Sequence, residues 1–482
     1  MGVNLQFIQN GRIILRNIGL IELHQSHTSE YLKEKLLFIL TKFRIDTNQI
    51  YSITTDNGAN MIKMGRLMNV LDDPSPGSSN NTGLTSESDE ENDGDININE
   101  SEIEARLEEI TNFEYCFGII RPHICIVKCA AHTLQLAVND ACKNPEIQLS
   151  FASARRIIKK LRTPTYSMAL RAENKNKPIL DCPTRWNSTI DMIESLFTLK
   201  DICSSVPRNL FLPDSTWKIL EEIVAALKPA KKLMIKLQSE QVTVGDCYLS
   251  WMTCKLETSD LNTTLANEIT SNIENRESML FNSEAFINAM IMDPRINSTL
   301  KIDQQQAAKS QITSLYTRLL KFNDFEKSSD HIDTTEVTDP PDEYESDKEN
   351  INSVQTKLRD FLNTSYMERH DNISTLLQPR LGGIIDECVH KFKEALSVFL
   401  EEPLLDCSAD ILKFWEHKKE KYPSLYKVAQ IVLATPVTEV SVERLFSSMK
   451  FVVSDLRLNL KDDIIEDILF IRSNHLYKKY NN

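Results

Sequence analysis

The stretch YSITTDNGAN, residues 51 to 60, runs a set of β-favouring residues into an aspartate and an Asn-Gly pair. β-branched and aromatic side chains suit a pleated, half-buried strand, whereas Asn and Gly tolerate the backbone angles of a turn. Residues 50–55 therefore read as a strand that stops at Asp56. A carboxylate in that place has two readings. It can start the Asn57-Gly58 turn by accepting a downstream amide. It can also belong to a site, because open α/β sheets gather their chemistry at the carboxyl ends of strands.

The neighbouring segments extend the pattern. Upstream, VNLQFIQ and RIILRNIGLIEL flank Asn10-Gly11, the strongest short hairpin signal. Thr28 is placed to cap a helix with Glu30 in its first turn, and Leu32, Leu36, Leu40 and Phe43 recur at helical spacing. Downstream, residues 125–129 form a short strand that enters a helix. The order hairpin, helix, strand, helix, strand, helix points to an α/β sheet. From 145 to 400 the pattern is almost wholly helical, and the last 80 residues are helical again. The fold class is thus α/β plus α.

The chain has 482 residues, enough for about two to four domains. Ten cysteines and no charged-then-apolar leader suggest a reducing, intracellular setting, and no apolar run is long enough to cross a membrane. A net charge of −14 looks hostile to nucleic acid until it is located. Residues 72–104 hold 11 acids and no Lys or Arg, and residues 326–349 hold 10 acids and two lysines. These blocks carry −11 and −8, so the remainder carries −14 less −19, or +5. Both blocks are too polar to repay the entropy of folding and read as disordered insertions, either solvated linkers or mimics of nucleic acid. The expected division is a core part at 1–71, an acidic insertion at 72–112, more core at 113–144, a helical domain at 145–400 with an acidic loop near 326–352, and a closing region at 401–482.

Four segments carry a resemblance: TTDN at 54–57, KCAAHTLQLAV at 128–138, CPTRWNST at 182–189, and LATPVTEVSVERLFSSMKFVVSDLRLNLKDDIIEDILFIRSN at 433–474. In this order and spacing they resemble the hAT superfamily of DNA transposases and the host proteins derived from them. The resemblance implies a ribonuclease-H-like core interrupted by an all-helical domain, with C-terminal dimerisation helices. Such cores hold two divalent metals, Mg²⁺ or Mn²⁺, with three carboxylates. Carried over by motif, Asp56 is the second acid and Glu443 the third, both metal ligands. The first acid and its strand, and the BED-type zinc finger that precedes them in the family, have no counterpart here. The expectation is a nuclear, DNA-binding homodimer that is catalytically incomplete. The alternative is an active transposase whose amino-terminal part lies outside this sequence. No small-molecule substrate is implied.

The same reading nominates further residues. ARRIIKKLR places Arg155, Arg156, Lys159 and Lys160 on one helical face, suited to phosphates, with Arg171, Lys175 and Lys177 following. An ordinary solvated face would look alike. Arg185 and Trp186 come next, and the resemblance implies that this tryptophan stacks on a base displaced from the duplex, although a core anchor fits as well. Cys129 and His132 look like half a zinc site, with Cys116, His123, Cys125 and Cys142 close in sequence. Their spacing matches no standard finger, and they are expected to brace a strand-to-helix junction. For self-association, Phe446, Ile464, Ile465, Ile468 and Leu469, with Ile471, give too broad an apolar surface for one partner. Trp415, Tyr422, Leu425 and Tyr426 offer further interface-like area.

Overall fold

A computed structural model describes residues 1–69, 123–182, 186–205, 210–329, 385–452 and 462–480. The first acidic block lies outside the described residues, as does the second from residue 330 onward. Two compact units emerge, one of Met1–Asp293 with Gln430–Asn482 and one of Pro294–Ala429.

The first unit opens with the hairpin β1 (Gly2–Gln9) and β2 (Arg12–Leu20). Asn10 and Gly11 sit at φ 51° and 67°, the paired positive values that a two-residue primed turn requires. The register slips between Val3 and Asn4, and Asn17 Nδ2 spans the slip by donating to Val3 O and Asn4 Oδ1. Thr28 then caps α1 (Ser29–Lys42), which buries Leu32, Leu36, Ile39 and Leu40. Next come β3 (Ser52–Thr55), α2 (Ala59–Leu67), β4 (Cys125–Lys128) parallel to β3, and α3 (Ala130–Ala141). The order matches the one read from the sequence. α2 crosses β4 so closely that a Cβ on Gly65 would lie 2.6 Å from Ile126 Cδ1, so a larger residue there would force Ile126 to shift.

Six helices complete the central part of this unit after α4 (Pro145–Leu161) and α5 (Pro164–Ala172): α6 (Trp186–Phe197), α7 (Lys200–Ser205), α8 (Asp214–Leu237), α9 (Val244–Ser259), α10 (Thr264–Phe281) and α11 (Glu284–Ile291). α3 packs on α10 and α8, α4 on α6 and α8, and α9 on α8 and α10. Leu134, Ile157, Ile158, Leu161, Ile190, Ile193, Leu227, Trp251 and Ile273 are wholly enclosed between them. The apolar face of α3 is covered by helices that follow residue 145, and the compact units divide at 293/294 and 429/430.

The second unit holds α12 (Ile302–Ser329), α13 (residues 385–400) and α14 (Ile411–Lys418), and α15 (Pro423–Val432) runs across its boundary. Phe399 lies 4.9 Å from Trp415 and 6.0 Å from Tyr422 between ring centres, and Tyr316 stacks on Phe392 at 4.4 Å. Trp415, Tyr422 and Leu425 are buried in this core, which corrects their expected place at an interface. Aromatic rings of that size are satisfied by their own unit.

α16 (Val440–Val452) and α17 (Asp462–Tyr480) return to the first unit. Asn474 pairs its side-chain amide with both backbone groups of Asn17, at 3.0 Å each. Gln241 does the same to Ile13, at 3.0 and 2.9 Å. The edge of β2 away from β1 is thereby occupied at two points by amides that mimic a strand, which blocks edge-to-edge pairing. Asn69 clips Ile124 in the same way, at 2.8 and 2.9 Å.

The architecture is mostly helical. Among the described residues the strands form two separate two-stranded sheets, β1–β2 and β3–β4, where a single sheet was expected. They are linked by residues 434–441 instead of a backbone ladder. Gln6 Nε2 donates to Ala434 O, Asn4 Nδ2 to Ser441 Oγ, Thr54 Oγ1 to Pro436 O, and Ala130 N–H to Val437 O.

Candidate functional site

That linking segment carries the C-terminal acids to the end of β3. Asp56 follows the last residue of β3, and its Oδ1 accepts the Gly58 N–H at 3.1 Å. The turn-forming role is therefore real, and it leaves the carboxylate facing the C-terminal segment. Glu439 immediately precedes α16 and accepts a hydrogen bond from the backbone N–H of Asp56. Glu443 lies one turn further along the same face. Partial burial, followed by repulsion from Asp56 and Glu443, pushes the Glu439 carboxyl up to about 7. Three carboxylates thus meet at the end of β3, two of them at helical spacing where like charges repel. The amino-terminal end of α16 partly offsets this cost.

The sequence reading paired Asp56 with Glu443 and missed Glu439. The signal was present: VTEVSVE repeats a glutamate at i and i+4, and so puts both on one helical face. Arg444, the neighbour that could have neutralised Glu443, turns away to Gln238 O at 2.5 Å and to Glu240.

Carboxylate oxygens are the right donors for Mg²⁺ or Mn²⁺. Among the described residues, however, the one group of three or more His, Cys, Asp and Glu ligand atoms within 4.8 Å of one another is His123, Cys125 and Glu284. The acids around Asp56 repel one another without closing to ligand spacing. This arrangement does not fit the metal pair that the resemblance implies.

Cys129 is the N-cap of α3. Its Sγ accepts the His132 N–H at 3.5 Å and the residue is 1% exposed. Burial raises the thiol to about 12, so it stays protonated at neutral pH. A protonated, capping sulfur is a structural brace at the strand-to-helix junction.

The basic helix is divided in its roles. Arg155 clamps the buried Asp181 carboxylate through Nε and Nη2 at 2.7–3.1 Å, and Thr189 Oγ1 donates to the same carboxylate at 2.9 Å. Arg155 is therefore committed to holding Asp181, and through it Thr189, against α4, a correction to its expected place on a phosphate face. Arg156 and Lys159 are exposed, as are Arg171, Lys175 and Lys177, while Lys160 is half-buried. Ile157, Ile158 and Leu161 fill the opposite face. Arg185 lies outside the described residues. Trp186 opens α6 and is 4% exposed, with its Nε1 enclosed. In this arrangement the ring takes the core-anchor place, one of its two expected roles.

At the C-terminus, Leu469 and Leu445 form a small internal core with Leu20, Ile465 and Ile468 packed against it. Leu469 is 1% exposed and thus belongs to the fold, not to an external interface. Phe446, Ile464 and Ile471 remain exposed. No helix among the described residues is long and apolar enough to cross a membrane.

Two segments of the chain match known family models. Residues 395–475 match the hAT family C-terminal dimerisation region, and residues 127–210 match the ZBED1 RNase-like helical domain. The chain is 22% identical over 370 residues to zinc finger BED domain-containing protein 4 of Homo sapiens, covering 72% of this chain and 29% of that protein. It is 23% identical over 313 residues to zinc finger BED domain-containing protein DAYSLEEPER of Arabidopsis thaliana, covering 61% of this chain and 40% of that protein. The chain therefore carries a hAT-type dimerisation region and a ZBED1-type helical domain, and it aligns with less than half the length of either relative.

Proposed function

We propose that the chain works as a nuclear, DNA-binding homodimer of hAT descent, built on a ribonuclease-H-like core whose catalytic site is incomplete. The observation that carries this reading is the meeting of Asp56, Glu439 and Glu443 at the end of β3, brought together from opposite ends of the chain. A carboxylate cluster in that position is what a hAT core would leave behind. The failure of these acids to close to ligand spacing supports a loss of strand transfer, because two divalent metals need tightly converging oxygens.

DNA contact is assigned to the exposed cations Arg156, Lys159, Arg171, Lys175 and Lys177, which would neutralise phosphates without reading sequence. Dimerisation is assigned to Phe446, Ile464 and Ile471 within the matched dimerisation region. A dimer doubles a weak DNA site through effective concentration. The test is a duplex-DNA titration at two salt concentrations, alongside a nicking and joining assay in Mg²⁺ and Mn²⁺. The expected result is salt-sensitive binding and no joining, with Arg156→Glu and Lys159→Glu together reducing the log–log salt slope by about 2. Joining that Asp56→Asn abolishes would instead establish the active transposase. Absence of DNA binding at low salt would remove the reading.

A further inference from the structure

Away from the acid cluster, His123, Cys125 and Glu284 bring an imidazole nitrogen, a thiol sulfur and a carboxylate oxygen within 4.8 Å of one another. His123 Nε2 sits 2.9 Å from both oxygens of Glu284. Cys125 begins β4, 6% exposed, and its N–H is fixed on Tyr51 O at 2.9 Å. Between the two ligand residues, Ile124 is held at both backbone groups by the Asn69 side chain. Glu284 comes from the first turn of α11 and Cys125 from the start of β4, with His123 two residues ahead of that strand, all in one unit.

Polar groups surround the sulfur. The Tyr51 hydroxyl donates to the Cys125 sulfur, and Asn288, one turn after Glu284, donates to that hydroxyl at 3.1 Å. Asn288 is 1% exposed and its Oδ1 is enclosed without a partner. A donor aimed at the sulfur, itself positioned by a buried amide, is the kind of outer arrangement that steadies a metal-bound thiolate.

We propose that His123, Cys125 and Glu284 bind a zinc ion. Sulfur with imidazole selects a borderline-soft metal over Mg²⁺ or Ca²⁺, and three protein ligands leave the fourth tetrahedral position for water. His123 is half-exposed, so that position opens to solvent. Binding displaces the thiol proton of Cys125 and replaces a His–Glu ion pair by a link between β4 and α11. None of these residues serves the DNA-binding reading, so the two succeed or fail separately.

The test uses the full chain, stripped with chelator and titrated with Zn²⁺ or Co²⁺. A stoichiometric equivalent of Zn²⁺ is expected, with affinity falling at least about tenfold in His123→Gln and in Glu284→Gln. Both substitutions lie at accessible positions, and unchanged circular dichroism would confirm that the fold persists. Co²⁺ should give a thiolate charge-transfer band that Cys125→Ser removes. Sub-stoichiometric binding, affinity indifferent to both accessible substitutions, or a Co²⁺ complex without the thiolate band would each overturn the assignment.

Discussion

Replacing Glu439 by glutamine tests whether the three acids meet as described, because the substitution removes one charge and keeps an oxygen to accept the Asp56 amide. Glu439 has its carboxyl raised from 4.5 to about 7 by burial first and by Asp56 and Glu443 next. In the folded state it holds its proton where the unfolded chain has lost it, between about pH 4.5 and pH 7. The folded form binds more protons throughout that window, so its stability falls as pH rises and levels off above about 7. A rise of this size corresponds to about 3 kcal/mol. Partial exposure to solvent screens the repulsion and reduces the expected effect to about 2 kcal/mol. Urea unfolding at pH 4.5 and pH 8 reads the difference directly. Glu439→Gln should match the parent at pH 4.5 and exceed it by about 2 kcal/mol at pH 8. A variant that is no more stable than the parent at pH 8, or equally shifted at both pH values, would refute the convergence of these carboxylates.

The second unit provides the opposite sign. Burial works against ionisation of Glu402, but bonds from Lys418, Lys421 and the Tyr422 hydroxyl outweigh it and hold the carboxyl down to about 2. The stability it gives is present above about pH 4.5 and lost as pH falls towards 2. Glu402→Gln should flatten that acid limb and cost about 1–2 kcal/mol at pH 7. Gly65→Ala should destabilise by about 1–3 kcal/mol, since its methyl meets Ile126, and Ile126→Ala in the same chain should recover part of the loss. Leu469→Ala should lower stability by about 2–5 kcal/mol. Phe446→Ala with Ile471→Ala should leave stability unchanged and shift light scattering at micromolar concentration from dimer to monomer; a surviving dimer would place the interface elsewhere.

Local rules read much of this fold. The positive φ angles at Asn10 and Gly11, the Thr28 cap and the buried face of α1 are each set by residues a few positions apart. What escaped was decided by distant partners. From residue 145 the pattern turns uniformly helical, but helical pattern does not reveal which unit a helix packs against. Trp415 and Tyr422 looked like interface residues because amphipathic aromatic area is the same chemistry whether a second chain or the helix at 385–400 covers it. The single sheet failed for a related reason. Strand pattern predicts strands, whereas pairing between them depends on what lies along each edge, and here side-chain amides and the 434–441 segment occupy those positions.

The motif residues divide along one physical line. Those enclosed by the fold serve it: Trp186 anchors α6, Arg155 and Thr189 tie down the Asp181 carboxylate, Cys129 caps α3, and Leu469 seals α17 onto β2. Those left in contact with solvent, Glu443, Arg156, Lys159 and Phe446, repay nothing to the core. Removing an enclosed motif residue leaves a cavity or an unpaired charge and so costs stability. An exposed one has no such constraint. Asp56 and Glu439 stand between these classes, half-covered and mutually repelling, and so carry a standing energetic cost. A fold that had no further use for the cluster would gain from a single Glu-to-Gln change at position 439. The cluster is thus a point of repulsion that the packing of the C-terminal segment does not relieve.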